Sequence, residues 1–260
     1  MLCLINGGVV LELRNKEILI FGGGSGIGKA IAIKLLSERA KVVIAGRELE
    51  KLKRVKEELC DDNLFFMRAD IADVSKHEEY FNNAEQLMGG LSGFVNSAGV
   101  STENIGRGYE PWDITEEEWD YFSSINFKGA YFIMRNEINY LKEKGVRGNI
   151  LNISSNAPCM DVVGLYGASK QAVIRWTRAL GKKYGRYGIN INGVAPGITF
   201  TPFISDYAKD INEEFPRHAI GRIIRPEEIA ETVFYLMTKE AEIVCGHTII
   251  ADGGDSVAVL

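Results

Sequence analysis

Glu17-Ile-Leu-Ile-Phe21 runs straight into Gly22-Gly23-Gly24-Ser25-Gly26-Ile27-Gly28, and an amphipathic helix is predicted over residues 29–39. A short apolar run closed by glycine suits a strand buried on both faces of a parallel sheet. Strand, glycine loop and helix together can hold a pyrophosphate. Glycine permits tight turns and close approach of a ligand, and the exposed amides and dipole of a helix N-terminus favour negative charge. The spacing is Gly-x-x-x-Gly-x-Gly, not the commoner Gly-x-Gly-x-x-Gly, which narrows the choice of dinucleotide folds.

Outward from this unit, apolar runs alternate with helical patterns. Residues 42–45 read as a strand closed by Gly46-Arg47, at the distance where such folds meet the adenosine ribose. A helix over 49–59, a strand over 64–67 ending in Asp70-Ile71, a charged helix over 75–88 and a strand over 93–96 ending in Asn96-Ser97-Ala98-Gly99 follow. Thr115 and Glu118 form a capping box that opens a long predicted helix to about residue 142, with Asn126 inside it. By itself Asn126 reads as a hydrogen-bonded core amide. Later come a strand over 189–195 turned by Pro196-Gly197, a helix opened by Pro226, and a last strand over 247–251 ending in Asp252-Gly253-Gly254. Alternation of this kind implies α/β architecture: a single doubly wound, Rossmann-like domain with a parallel central sheet flanked by helices. Residues 1–12 carry no motif and are expected to be an N-terminal extension to a dinucleotide-binding and catalytic domain over 13–260.

The stretch from Asn149 to Lys170 concentrates the chemistry. A predicted buried strand ends at Ser154-Ser155, and a helical pattern starting at Tyr166 places Tyr166 and Lys170 on one face, a turn apart. An ammonium near a phenol favours the phenolate and brings the tyrosine toward the range where it exchanges protons with an alcohol or ketone. Ser155 is placed to hold the substrate oxygen. Tyr-x-x-x-Lys also occurs at Tyr140/Lys144 and Tyr235/Lys239, in stretches that read as ordinary amphipathic helices with exposed lysines. Only Tyr166 follows paired serines and sits among Gly164, Gly167, Ala168 and Ser169.

A net charge of −5 argues against nucleic acid or an anionic membrane as the main partner. Cys3, Cys60, Cys159 and Cys245 are scattered without metal or redox spacing, so no metal and a reducing compartment are expected. With no signal-like start and no run of membrane-spanning length, a cytoplasmic location is expected.

With these pieces assembled, residues 13 to 254 resemble the short-chain dehydrogenase/reductase family. The family's Thr-Gly-x-x-x-Gly-x-Gly is matched by Phe21 to Gly28, its Asn-Asn-Ala-Gly by Asn96 to Gly99, and its active-site set by Asn126, Ser155, Tyr166 and Lys170. Pro196-Gly197 and Ala251 to Gly254 match as well. The resemblance implies an NAD(P)-dependent enzyme interconverting a secondary alcohol and a ketone. In it Tyr166 is the general acid/base, Lys170 lowers its pKa and binds the nicotinamide ribose, Ser155 polarises the carbonyl, and Asn126 holds a water of the proton relay. It also implies cofactor contacts from Gly22, Gly24, Ser25, Gly26, Ile27, Gly28, Arg47, Asp70, Ile71, Asn96, Ala98, Gly99, Tyr166, Lys170, Pro196, Gly197, Ile198 and Thr201, and a homodimer or homotetramer.

Gly46-Arg47, where NAD-selective relatives commonly carry a carboxylate, points to NADP(H), with NAD(H) as second choice. Ser25 supplies no second basic residue. Phe21 and Ser97 depart from the family pattern, and the Ser155 to Tyr166 interval is about two residues short, which leaves Ser154 as an alternative to Ser155. The other class of function on this fold is a dinucleotide-binding regulator without turnover. Residues 101–112, 156–165 and 199–217 are expected to recognise the substrate, a small-molecule carbonyl or alcohol. A 3-oxoacyl thioester, a steroid and a sugar-derived ketone all remain open. Phe200, Phe203, Tyr207 and Phe215 suggest an apolar lid, and Arg107 an anionic contact.

Overall fold

Ile18 and Ile20 pack into one apolar layer while Leu19 and Phe21 pack into another, all four essentially without solvent exposure. A strand apolar on both faces needs helices on both sides. The computed structural model, which describes residues 4–5, 8–9, 13–101, 114–159, 164–202, 210 and 214–256, shows how they are supplied. Within the extension, β1 (Leu4–Ile5) and β2 (Gly8–Val9) pair antiparallel. Leu13 is already buried in the core.

The main chain of elements then runs β3 (Glu17–Phe21), α1 (Gly26–Ser37), β4 (Lys41–Gly46), α2 (Leu49–Leu59), β5 (Leu64–Arg68), α3 (His77–Met88) and β6 (Gly93–Asn96). It continues with α4 (Glu116–Ser123), α5 (Ala130–Lys144), β7 (Gly148–Ile153), α6 (Leu165–Tyr184), β8 (Ile189–Pro196), α7 (Pro226–Met237) and β9 (Thr248–Ala251). Seven strands form a parallel sheet in the order β5-β4-β3-β6-β7-β8-β9. One layer of the core joins the sheet to α1, α2 and α7, and the other joins it to α3, α4, α5 and α6. The chain winds outward from β3 to β5, returns to β6 beside β3, and winds outward the other way. That reversal between β3 and β6 is where an open α/β sheet leaves a crevice at its carboxyl edge.

Three boundaries differ from the sequence expectation for local reasons. The first helix starts at Gly26, inside the glycine loop, because the loop itself supplies its first turn. The helix expected over 75–88 starts at His77, behind a 3-10 turn of Val74–Lys76. The long helix expected over 115–142 is capped as predicted, with Glu118 N donating to Thr115 Oγ1 and Thr115 N to Glu118 Oε2, at 3.2 and 2.8 Å. It is not uniform, however: a π-helical segment, Ser124–Gly129, separates α4 from α5 and contains Asn126. Gly129 explains how the widened turn fits, since a Cβ there would stand 2.9 Å from the carbonyl oxygens of Ile71 and Ser124. No helix among the described residues is long and apolar enough to cross a membrane.

Candidate active site

A cleft of about 560 Å³ lies along the carboxyl edge of the sheet, from Arg47 at one end to Ser155 and Tyr166 at the other. The glycine loop floors it. Gly22 has φ +83°, and a side chain there would strike the backbone of Ala98. A Cβ on Gly28 would run into the Gly22 carbonyl, so the start of α1 can press against β3 only without one. Gly24, Ser25, Gly26 and Ile27 line the same floor, and Pro196, Gly197, Ile198 and Thr201 form the opposite wall. Thr201 faces Gly26, where a Cβ would meet its Cγ2 at 3.2 Å.

Ala98, Gly99, Asp70 and Ile71 also line the cleft. Asp70 is held by its own turn, Oδ1 accepting from Ala72 N at 2.9 Å. The Ile71 carbonyl accepts from His77 Nε2 at 2.9 Å, and His77 Nδ1 takes the amide proton of Asn136 at 3.1 Å. That arrangement needs a neutral imidazole, and burial pushes the His77 pKa down.

At the Tyr166 end the two serines separate. The Ser154 hydroxyl is buried and donates to the Lys170 carbonyl at 2.8 Å, tying β7 to α6. Ser155 is half-buried on the cleft wall, where its Oγ accepts from Ala157 N at 3.1 Å. Tyr166 and Lys170 project from the first turns of α6, with Lys170 Nζ 5.6 Å from the Tyr166 ring centre. Lys170 is only 9% exposed, donates to the Ile153 carbonyl at 3.2 Å, and is pushed by burial down to about 8. Gly99 makes room here: a Cβ on it would sit 3.4 Å from Lys170 Nζ and 3.5 Å from Asn126 Oδ1.

Asn126 and Asn96 lie behind the cleft. Asn126 clamps the backbone of Val100, accepting from its N–H at 3.0 Å and donating to its carbonyl at 2.8 Å, with a third contact to Ser169 Oγ at 3.5 Å. The side chain thus satisfies the core-amide reading, while the residue also borders a second cavity of about 20 Å³ shared with Lys170, Asn96 and Asn152. That is room for about one water molecule. Asn96 donates to Glu137 Oε2 and Asn152 Oδ1 at 3.0 and 2.9 Å, and Asn152 donates on to Thr177 at 3.0 Å. These bonds brace the sheet where Phe21 and Ser97 depart from the family pattern.

At the far end Arg47 is exposed, and its Nη1 donates to the Tyr121 hydroxyl at 3.2 Å. Lys51 also lines the cleft there, its ammonium held by Glu48 at 2.7 Å. Sequence reasoning missed Tyr121, Lys51 and Ile125. A usable signal existed for two of them: Tyr121 and Ile125 are four residues apart on the helix opened by the Thr115 cap. Asn156 was also missed. Its amide donates to Asp255 at 2.9 Å and to Asp252 at 3.4 Å, and Asp255 is ion-paired with Arg217 at 2.7 Å, so the end of the described chain supports the residue next to Ser155. The expected substrate contacts Arg107, Phe203 and Tyr207 lie outside the described residues. Phe215 packs on His218 with ring centres 4.7 Å apart. Among the described residues no group of three or more His, Cys, Asp or Glu is arranged to hold a metal ion.

The family model described as enoyl-(acyl carrier protein) reductase matches residues 22–256. A levodione reductase of Leifsonia aquatica is 31% identical over 262 aligned positions, covering 95% of this chain and 96% of the relative. An NADP-dependent (R)-specific alcohol dehydrogenase of Lentilactobacillus kefiri is 32% identical over 250 positions, covering 94% and 97%. Among solved structures, a short-chain type dehydrogenase/reductase from Mycobacterium ulcerans superposes with a TM-score of 0.85 at 26% identity, over 95% of this chain and 92% of that one.

Proposed function

The chain belongs to the short-chain dehydrogenase/reductase family, and we propose that it interconverts a secondary alcohol and a ketone with NADP(H). The observation that carries this reading is the convergence of Ser155, Tyr166 and the buried Lys170 at one end of a cleft floored by the glycine loop. The cleft fits a dinucleotide. Its floor can form only because Gly22 and Gly28 lack side chains, which would strike Ala98 and the Gly22 carbonyl, and its lining includes both Arg47 and the Ser155, Tyr166 and Lys170 set. A nicotinamide bound there supplies a hydride to the ketone or takes one from the alcohol.

The chain's own residues supply position and protons. Ser155 Oγ accepts from Ala157, so its hydroxyl proton is available to the substrate oxygen, whereas the Ser154 proton is committed to Lys170 O. This favours Ser155 as the polarising group. Tyr166 gives its phenolic proton to the oxygen during reduction and recovers one during oxidation. Lys170, placed where water screens it weakly, stabilises the phenolate and so brings the tyrosine into the working range. Asn126 keeps Val100 and the π segment in register beside Lys170 and borders the small cavity, roomy enough for about one water, that the lysine also lines.

Arg47 supports NADP(H) over NAD(H), since no carboxylate stands at Gly46 or Arg47 to occupy the ribose hydroxyls. The NADP-dependent relative agrees with it. No observation favours the non-catalytic regulator. Incubation of the purified protein with NADPH or NADH and a panel of cyclic, acyl-thioester and sugar-derived ketones tests the reading. Oxidation of NADPH by at least one ketone is expected, with NADPH preferred about ten- to a hundredfold. Binding without oxidation across the panel would instead support the regulator.

A further inference from the structure

We propose that Tyr121 is a specificity-determining residue, which with Arg47 forms a clamp for the ribose 2′-phosphate of NADP(H); the inference rests on the NADP(H) reading above. Arg47 stands at the carboxyl end of the second strand of the winding, and Tyr121 stands on α4, 74 positions along the chain. Their hydrogen bond spans the adenosine end of the cleft, which both residues line. Tyr121 on α4 and Ile125 in the π segment after it both line the cleft, so one stretch of chain carries the tyrosine and the wall beside it.

The chemistry of the pair suits a phosphate dianion. An exposed arginine on its own samples many rotamers, and ordering it on binding costs entropy. Tyr121 holds the guanidinium through Nη1 and leaves Nε and Nη2 as a fork for two phosphate oxygens. The phenolic oxygen accepts from Arg47, so its own proton remains to donate to a third. Lys51 does not replace this clamp, because Glu48 already neutralises its ammonium at 2.7 Å. An adenosine ribose bearing only hydroxyls offers the fork no anion, so the clamp acts on NADP(H) and not on NAD(H).

Dissociation constants for NADPH and NADH, measured by titration calorimetry on wild type, Tyr121→Phe, Arg47→Ala and the double variant, test the clamp. Tyr121→Phe keeps the ring and is expected to weaken NADPH about three- to tenfold while NADH changes by less than about twofold. In the Arg47→Ala background the same change should have little further effect on NADPH. Tyr121→Phe that leaves NADPH unchanged, tightens it, or weakens both cofactors alike would overturn the clamp, even if Arg47→Ala is selective and the NADP(H) reading stands. An effect of Tyr121→Phe that persists at full size without Arg47 would overturn it too. Arg47→Ala that weakens both cofactors equally, or a wild type that prefers NADH, would remove the NADP(H) reading and the clamp with it.

Discussion

Lys170 and Lys144 stand almost equally far from a tyrosine ring, at 5.6 and 5.5 Å, yet only the Lys170 pair lines the cleft. Lys144 is 44% exposed and paired with Glu85 at 2.7 Å, and its Tyr140 is wedged between Phe81 and Phe94 with a hydroxyl whose pKa is pushed up by burial. Lys170 is buried against a backbone carbonyl, and burial lowers it from 10.5 to about 8. Folding therefore brings a charge into a poorly solvating place at neutral pH. Because the folded pKa lies below the unfolded one, the folded state gains stability as pH rises from about 8 to 10.5 and loses it again as pH falls. Lys170→Met removes the cost. It should abolish turnover yet stabilise the protein by about 1 to 3 kcal/mol at neutral pH. Denaturant unfolding at about pH 7 and about pH 10 checks this, with the gap over wild type narrowing at the higher pH; a gap that does not change would mean that Lys170 is well solvated.

At the scale of elements, strands and the glycine loop were legible because their rules are local. The alternation of Ile18 and Ile20 with Leu19 and Phe21 needs only neighbouring residues, and so does the Thr115 to Glu118 cap. The π segment was hidden, because one extra residue in a turn leaves Phe122, Ile125 and Ile133 still facing the core. Only Gly129, pressed against Ile71, marks the place, and a single glycine in a helical pattern has many readings. The supports of the site were hidden for another reason: Arg47 with Tyr121 and Asn156 with Asp255 are side-chain pairs 74 and 99 positions apart, for which spacing carries no signature. The Tyr140 and Lys144 pair sits, as its pattern predicts, on an amphipathic helix with the lysine exposed. Tyr140 is on the buried face, at 7% exposure, where α3 supplies the aromatic surface that covers it.

Across the whole molecule, the cleft is supported from within by the chain of Glu137, Asn96, Asn152 and Thr177, which links α5, β6, β7 and α6. Burial drives the Glu137 pKa well above 4.5. A carboxyl whose folded pKa is raised contributes its stability in full below about 4.5, and that contribution is lost as pH rises through the folded pKa. Glu137→Gln keeps an acceptor for Asn96 without an ionisable group. The variant should match wild type near pH 4.5 and be more stable near pH 8; an identical difference at both would show that Glu137 does not titrate with folding. Fold, cleft and chemistry meet in Tyr166, so the most direct measurement is ketone reduction by Tyr166→Phe, with NADPH affinity determined on the same sample and Tyr140→Phe run beside it. Turnover by Tyr166→Phe should fall a hundredfold or more, to about the level expected from losing a general acid, with NADPH affinity nearly intact and Tyr140→Phe close to wild type. Near-normal turnover by Tyr166→Phe, or equal losses in the two variants, would contradict the assignment of Tyr166 as the catalytic acid.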